Sequence, residues 1–248
     1  CAGLYLVQVT NGNGCQRIDS ALVVAPEPIV ALFGTTPVSC AGSCDGTATV
    51  GISGGVGPYS VSWSPQPGAG QGTPNVSGLC AGTYDVTITD NSGCSIVQSV
   101  LILGPAPIDA NATVQDISCA GACDGSIVLN AQGGTGAFTY LWTPVPPNGQ
   151  GGSSATQLCA GAYGVTIIDA NGCDTTLSFT ITEPQPLILT PSSTPAHCQV
   201  CDGTGAVLVS GGSGAPTITW SDADGNVVGT GPALVDLCAG IYTVNVQD

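Results

Sequence analysis

The cysteines of this 248-residue chain recur at an interval of 79 residues. The tetrapeptide Leu-Cys-Ala-Gly begins at Leu79 and returns at Leu158 and Leu237. Such a period is too long for one coil of a solenoid and corresponds to one small domain per repeat. We therefore predict a tandem array of near-copies, an arrangement that supplies length or many equal contacts and rarely a single catalytic centre.

Four cysteine positions define the repeat. They form the series Cys1, Cys80, Cys159 and Cys238; Cys15, Cys94 and Cys173; Cys40, Cys119 and Cys198; and Cys44, Cys123 and, one residue short, Cys201. The regular spacing predicts a disulfide framework in an oxidising, extracellular setting. The alternative, a zinc site at Cys198 and Cys201, is disfavoured because the other repeats have CxxxC there and the chain has one His.

The first and last residues both fall inside a repeat. We therefore expect this sequence to be a segment of a longer array. The odd count of 13 cysteines then needs no reactive thiol, because some partners would lie outside the segment.

The charge balance excludes two classes of partner. The chain has 16 acidic residues against one Arg and no Lys, for a net charge of −15. Nucleic-acid binding requires clustered cations for phosphate contacts, and an anionic membrane surface would repel the chain. No apolar run approaches the roughly 18–20 residues that span a bilayer, so we expect neither nucleic acid as a partner nor membrane insertion.

Short proline-containing joints set the predicted domain boundaries. We expect the C-terminal strands of a preceding repeat at residues 1–26, complete repeats at 27–105 and 106–184, and a repeat lacking its last strand at 185–248. Runs rich in Val, Ile and Thr alternate with Gly and Pro clusters, which indicates about seven short strands per repeat. The predicted fold class is all-β, with tandem immunoglobulin-like antiparallel β-sandwiches.

Recurring aromatic residues support that fold. Each Leu-Cys-Ala-Gly cysteine is followed four residues later by a tyrosine at the start of a strand, which is typical of a tyrosine corner. A tryptophan lies within an earlier strand of every repeat and is predicted to fill the core, with carbohydrate stacking as the alternative. The residues concerned are Tyr84, Tyr163 and Tyr242, and Trp63, Trp142 and Trp220.

Taken together, these motifs resemble the SprB-type repeat. The resemblance rests on Ser39-Cys40-Ala41-Gly42, Asp45-Gly46-Thr47-Ala48, Gly54-Gly55 followed by Pro58-Tyr59-Ser60-Val61-Ser62-Trp63, and the run from Gly82 to Asp90 with Gly93-Cys94. The family belongs to giant cell-surface adhesins of gliding and surface-colonising Bacteroidota, and its sandwich is similar to the polycystic-kidney-disease type. The resemblance implies type IX export and service as an adhesive or force-bearing surface filament.

The strand order of such a sandwich suggests a disulfide pairing. The A–B turn and the E–F corner lie at one end of the domain, so we predict Cys44–Cys80, Cys123–Cys159 and Cys201–Cys238. The F–G turn lies at the opposite end, which leaves two alternatives for the remaining cysteines. Either Cys40–Cys173 joins neighbouring domains and Cys119 pairs outside the segment, or Cys40–Cys94 and Cys119–Cys173 form.

Other polar constellations have a functional and a structural interpretation. Asp222-Ala223-Asp224-Gly225-Asn226 resembles half of a calcium loop but lacks the bidentate Glu, so a turn is favoured. Asp45, Asp124 and Asp202 each precede Gly and are predicted to cap turns, with calcium as the alternative; no other cofactor is expected. His197 is predicted to be a surface loop residue. Ser20 and Thr175 lie in short Asp-Ser/Thr segments that resemble O-glycan acceptors of Bacteroidota.

These observations favour a non-enzymatic structural and adhesive array of a bacterial cell-surface filament. We expect it to contact neighbouring repeats or copies of itself, and a surface polysaccharide or substratum through the loops at residues 64–78 and 143–157. Two alternatives remain: a self-assembling extracellular fibre or sheath subunit, and a spacer of a secreted polysaccharide-degrading enzyme.

Overall fold

The computed structural model describes residues 3–248, and Cys1 and Ala2 lie outside the described residues. All regular elements within residues 3–248 are β-strands. None of these residues lies in a helix long and apolar enough to cross a membrane. The chain divides into two compact units, residues 1–107 with 133–135 and residues 108–132 with 136–248.

The chain begins with a two-stranded hairpin. Strands β1 (Gly3–Thr10) and β2 (Gln16–Val23) pair antiparallel, and the Asn11 side chain closes the turn by accepting the backbone N–H groups of Asn13 and Cys15. The strands correspond in sequence to the last two strands of the complete repeats. Their apolar side chains are exposed on both faces.

The first complete repeat is a sandwich of two three-stranded antiparallel sheets. One sheet has the order β3-β4-β6 and the other β5-β7-β8. The strands are β3 (Val30–Thr36), β4 (Gly46–Ser53), β5 (Ser60–Ser64), β6 (Asn75–Leu79), β7 (Gly82–Thr89) and β8 (Ser95–Ile102). They correspond to strands A, B, C, E, F and G. The expected seventh strand is missing because residues 65–74 form a loop.

Alternation of apolar and polar residues along these strands builds the core. In β7 the side chains of Tyr84, Val86 and Ile88 point inward and are buried, as the two-residue period requires. The Phe33 and Trp63 rings meet edge to face across the two sheets, with centroids 6.2 Å apart. Burial of each such side chain stabilises the fold by about 1.5–3 kcal/mol.

The second complete repeat has the same architecture. Its sheets have the orders β12-β10-β9 and β11-β13-β14. Trp142 pairs with Val165, as Trp63 pairs with Val86 in the first repeat. The strands are β9 (Asp109–Gln115), β10 (Gly125–Gln132), β11 (Thr139–Thr143), β12 (Ser154–Leu158), β13 (Gly161–Ile168) and β14 (Asp174–Ile181).

The third repeat differs in its second sheet. Here β17 pairs with β20 and with an additional strand, β18. The hairpin between β17 and β18 turns at Asp222, whose Oδ1 accepts the backbone N–H groups of Asp224 and Asn226. This segment is therefore a turn, as the sequence favoured. The strands are β15 (Gln185–Thr194), β16 (Gly203–Gly212), β17 (Thr217–Ser221), β18 (Val227–Thr230), β19 (Ala233–Leu237) and β20 (Thr243–Gln247).

A glycine lets each proline joint pack against its own repeat. Gly54 has a φ of +73°, and a Cβ atom there would lie 2.0 Å from the Pro28 carbonyl oxygen. The next residue, Gly55, donates its N–H to the Glu27 carbonyl oxygen at 2.7 Å. Only glycine fits this left-handed, closely approached position. The predicted fold class, an all-β chain of antiparallel, disulfide-braced sandwiches, is confirmed.

Candidate functional site: the cross-linked corner of each repeat

A disulfide joins the A–B turn to the E–F corner in every repeat. Cys44 stands two residues before β4, and Cys80 lies where the chain crosses from β6 in one sheet to β7 in the other. The structure bonds Cys44 to Cys80, Cys123 to Cys159 and Cys201 to Cys238, with sequence separations of 36, 36 and 37 residues. Each bond encloses the B, C and E strands of its repeat.

The size of the enclosed loop gives the order of magnitude of its contribution. Closing a loop of about 36 residues removes unfolded-state entropy equivalent to about 4 kcal/mol. This is a large share of the stability available to a sandwich of this size. The bond also fixes the point where the chain changes sheets.

A tyrosine hydroxyl reinforces the same corner. The Tyr84 hydroxyl accepts the Cys80 backbone N–H at 3.0 Å. The hydroxyls of Tyr163 and Tyr242 donate to the carbonyl oxygens of Cys159 and Cys238, at 3.1 and 3.2 Å. The structure thus forms the predicted tyrosine corner beside each disulfide.

Carboxylates hold the A–B turns. Asp45 Oδ1 accepts the Ser39 backbone N–H and the Ser43 hydroxyl, both at 2.9 Å, and these bonds lower the pKa of Asp45 to about 2. Asp124 accepts the Ser118 N–H at 3.0 Å, which lowers its pKa as well. Within residues 3–248, no group of three or more His, Cys, Asp or Glu side chains is placed to hold a metal ion.

The third repeat uses a histidine in the same turn. Asp202 accepts the His197 backbone N–H at 2.8 Å, and its Oδ2 lies 2.7 Å from His197 Nδ1. Hydrogen bonds from His197 lower the pKa of Asp202. The His197 side chain is 84% exposed, so it occupies a surface loop.

A second carboxylate, which sequence reasoning missed, organises the F–G turn. Asp90 is only 5% exposed. It accepts the backbone N–H groups of Val56, Ser92 and Cys94 at 2.9–3.0 Å, and it has a lowered pKa, with the bond from the Ser92 hydroxyl as the main cause. Asp248 holds the Ser213–Gly214 backbone in the same manner. The signal in the sequence was recurrence, since Asp90 and Asp248 belong to one series spaced by the 79-residue period.

The tryptophans are core residues that also anchor the loop between strands C and E. The indole N–H groups of Trp63, Trp142 and Trp220 donate at 3.0 Å to the carbonyl oxygens of Thr73, Gly152 and Gly231. Their side chains are 2%, 1% and 5% exposed, which leaves no ring face for stacking on a sugar. The core prediction is supported and the carbohydrate alternative is not.

Glutamines in the C–E loops were also missed. The Gln71 side chain accepts the Trp63 N–H at 3.2 Å and donates to the Trp63 carbonyl at 3.1 Å. Gln150 accepts the Trp142 N–H at 3.1 Å. The two glutamines stand one period apart, which was the only signal in the sequence.

A groove of about 560 Å³ opens in the third repeat beside Trp220 and Leu237. It lies next to Gly203, whose counterparts Gly46 and Gly125 pack against Ile102 and Ile181 of the last strand in their repeats. The groove therefore occupies a region that strand side chains fill in the complete repeats. It does not constitute a pocket with its own chemistry.

The remaining predicted residues are placed as follows. Cys94 and Cys119 carry exposed free thiols, so the alternative pairings Cys40–Cys94 and Cys119–Cys173 are wrong. Of the two glycan candidates, Ser20 is exposed on β2 and Thr175 is half-buried on β14. Glycosylation stays a prediction.

Removing one corner hydroxyl tests its contribution. Tyr163→Phe deletes the bond to Cys159, which we expect to cost about 1 kcal/mol and to lower the melting temperature of that repeat by about 4–8 °C. Calorimetry of the whole chain measures this shift. Tyr140→Phe is the matched control, because Tyr140 is equally buried in the same repeat. Equal shifts for both variants would contradict the assignment.

Acid should destabilise the repeats through the turn carboxylates. Hydrogen bonds lower the folded-state pKa of Asp45 to about 2, from a usual value of 3.8, and they lower that of Asp90 too. A lowered pKa contributes stability that is present above the unfolded-state pKa and is lost as the pH falls through the folded-state value. We expect the melting temperature, followed by circular dichroism, to fall between about pH 4 and pH 2. Asp45→Asn should reduce this dependence, and a flat profile in the parent chain would refute the prediction.

Comparison with known proteins finds a family to which two segments of the chain are similar. The family model described as SprB repeat matches residues 33–68 and 111–146. Among curated proteins, no sequence matches the chain significantly.

Solved structures of immunoglobulin domains are also similar. A structure of Dscam, on isoform specificity, shares 14% identity over 100% of this chain and 77% of its own, with a TM-score of 0.28. The Dpr11 IG1 complex with DIP-gamma IG+IG2 shares 15% identity over 64% of this chain and 99% of its own, with a TM-score of 0.30. The eight N-terminal Ig domains of a DSCAM isoform share 12% identity over 100% of this chain and 56% of their own, with a TM-score of 0.29. The two family matches lie within the complete repeats, so residues 33–68 and 111–146 are similar to the SprB repeat, and the fold that contains them is an all-β series of antiparallel sandwiches.

Proposed function

We propose that this chain is a non-enzymatic structural and adhesive array in an extended filament on a bacterial cell surface. The recurrence of the same disulfide-braced corner in every repeat carries the proposal. A feature repeated in each domain serves a property that each domain must have, and resistance to unfolding is such a property.

The strand arrangement suits a load along the chain. In the first repeat the start of β3 lies near the F–G turn, because Glu27 bonds Gly55 and Asp90 bonds Val56. The end of β3 lies beside the end of β8, where the Val38 N–H donates to the Leu103 carbonyl at 2.9 Å. Strands β3 and β8 therefore run in the same direction. Force that enters at β3 and leaves at β8 shears the two strands instead of peeling them apart.

The recurring polar side chains form hydrogen bonds that hold turns and loops in each repeat. Asp45, Asp90 and Gln71 bond backbone N–H groups of turns and loops. Ser43 bonds Asp45 and the Cys40 carbonyl oxygen. These groups are engaged within the fold, which supports a non-enzymatic function.

Composition and redox state support a position outside the cell. Disulfides persist in oxidising compartments. With one Arg and no Lys, the chain has almost no cations that could bind anionic surfaces. Export by the type IX route and a contribution to gliding follow from the SprB resemblance and belong to this proposal.

The loops between strands C and E are the proposed adhesive surface. Residues 64–78 and 143–157 are rich in Gly, Pro and Gln, and most of their residues are exposed. Each loop is anchored at its base by a buried tryptophan. Each loop would hold an exposed tip on a fixed base. The repeated loops would together offer many contacts to a polysaccharide or another substratum.

Immunogold electron microscopy of intact producing cells tests the proposal. An antibody raised against this chain should decorate extended threads outside the cell, and deletion of the gene should reduce attachment to surfaces. Permeabilised cells are the control for intracellular protein. Label found only after permeabilisation would overturn the proposal, and label along a multi-stranded tube would favour the fibre-subunit alternative.

A further inference from the structure

Strand β5 lies at the edge of its sheet, and the loop between strands C and E closes that edge. β5 pairs with β7 on one side, so every second residue turns its backbone N–H and C=O groups to the other side. For Trp63 these two groups meet the side-chain amide of Gln71, which accepts the N–H at 3.2 Å and donates to the carbonyl oxygen at 3.1 Å. The Gln71 amide therefore takes the position of a peptide group in a neighbouring strand.

The same loop also closes an edge of the facing sheet. β6 is the edge strand there, and the loop residue Ala69 exchanges two backbone hydrogen bonds with Ser77 of β6, at 3.0 and 3.1 Å. In the second complete repeat, Gln150 accepts the Trp142 N–H at 3.1 Å. One loop thus covers an edge of each sheet, and the glutamine covers the edge of strand C.

The third repeat shows what fills this edge where the glutamine is replaced. Gly229 stands two periods after Gln71 and lies in β18, whose backbone pairs with Trp220 of β17. A Cβ atom on Gly229 would lie 2.4 Å from Leu234 Cδ2, so a glutamine would not fit there unless that side chain moved. An extended strand therefore fills the place that the Gln71 amide holds in the first repeat.

The sequence puts no charge on this edge. Natural proteins commonly place Lys or other charged side chains on exposed edge strands, which keeps two copies from pairing. Residues 58–79 contain no Asp, Glu, Lys or Arg. Neutral groups must then protect the edge. Pro65 and Pro67 contribute because proline lacks the N–H that a pairing strand needs, and the Gln71 amide occupies the edge itself.

We propose that the outer edge of strand C is a latent strand-pairing surface for a second copy of this chain, and that Gln71 keeps it closed. A second copy offers the same edge, so two β5 strands can pair antiparallel and symmetrically. The two edges carry no like charges that would repel each other. Gln150 has the same role beside Trp142. The inference concerns the strand edge and does not depend on the proposed function.

Sedimentation velocity of single variants of the whole chain tests the proposal. Gln71→Ala opens the edge and should lower the dissociation constant for self-association by about tenfold or more, with a dimer as the product. Gln66→Ala is the matched control, because Gln66 is an exposed glutamine of the same loop and both Trp63 groups are bonded by Gln71 instead. N-ethylmaleimide first blocks the exposed thiols, which excludes intermolecular disulfides; they are Cys15, Cys94, Cys119 and Cys198.

A charge at the same edge should reverse the effect. Ser62 is exposed in the middle of β5, and Ser62→Lys in the Gln71→Ala background places a cation beside the opened edge of both copies. Their repulsion should return the dissociation constant to the value of the parent chain. Hydrogen exchange of the Trp63 amide, followed by NMR, locates the interface. In Gln71→Ala this exchange should be fast in dilute protein and slow at concentrations where the dimer forms.

Three results would overturn the proposal. They are a dissociation constant for Gln71→Ala equal to that of the parent chain, an equal gain in Gln66→Ala, and a dimer that persists after Ser62→Lys. If circular dichroism shows that Gln71→Ala does not fold, Gln150→Ala in the second repeat takes its place. Leu141→Lys is then the charged variant, since Leu141 stands one period after Ser62 and is exposed.

Discussion

The disulfide between the A–B turn and the E–F corner is the constraint on which the rest of each repeat depends. It joins the end of one sheet to the crossover into the other, as Cys44 and Cys80 show. The tyrosine hydroxyl, the loop carboxylate and the buried core all lie around or beside this bond. A sandwich of 79 residues buries little apolar surface, so a covalent bond worth about 4 kcal/mol is a major part of its stability.

A chain with almost no cations satisfies its carboxylates by other means. In residues 3–248, the ion pair that the structure shows is between His197 and Asp202. Elsewhere the aspartates accept backbone N–H groups, which fix turns instead of linking side chains. Such bonds favour the ionised carboxylate. The structure of the turns therefore depends on pH. It depends little on surface ion pairs, which salt would screen.

Periodicity made much of the fold and part of the site predictable. The 79-residue interval identified the cysteine series, the tyrosine corner and the core tryptophans without reference to any structure. Strand positions followed from alternation, as at Tyr84, Val86 and Ile88. The number of strands was less predictable, because the segment before β6 is a loop whose order comes from the Trp63 indole and the Gln71 side chain.

The remaining features depend on contacts between residues far apart in sequence. Asp90 reaches Val56, 34 residues away, and local composition does not reveal such a bond. The added strand β18 depends on a hairpin found in one repeat only. The strand order left two pairings open for Cys94 and Cys119, and the structure is needed to show that both thiols are free.

Single-molecule force spectroscopy tests the central claim most directly. The chain would be pulled from its two ends with and without reductant, which cleaves the three described corner bonds. Each corner bond shields 36 or 37 residues from extension, so reduction should lengthen each unfolding step of a complete repeat by about 12 nm at roughly 3.4 Å per residue. It should also lower the force at which each step occurs. Steps of unchanged length and force after complete reduction would contradict the account that these bonds carry the stability of the repeats.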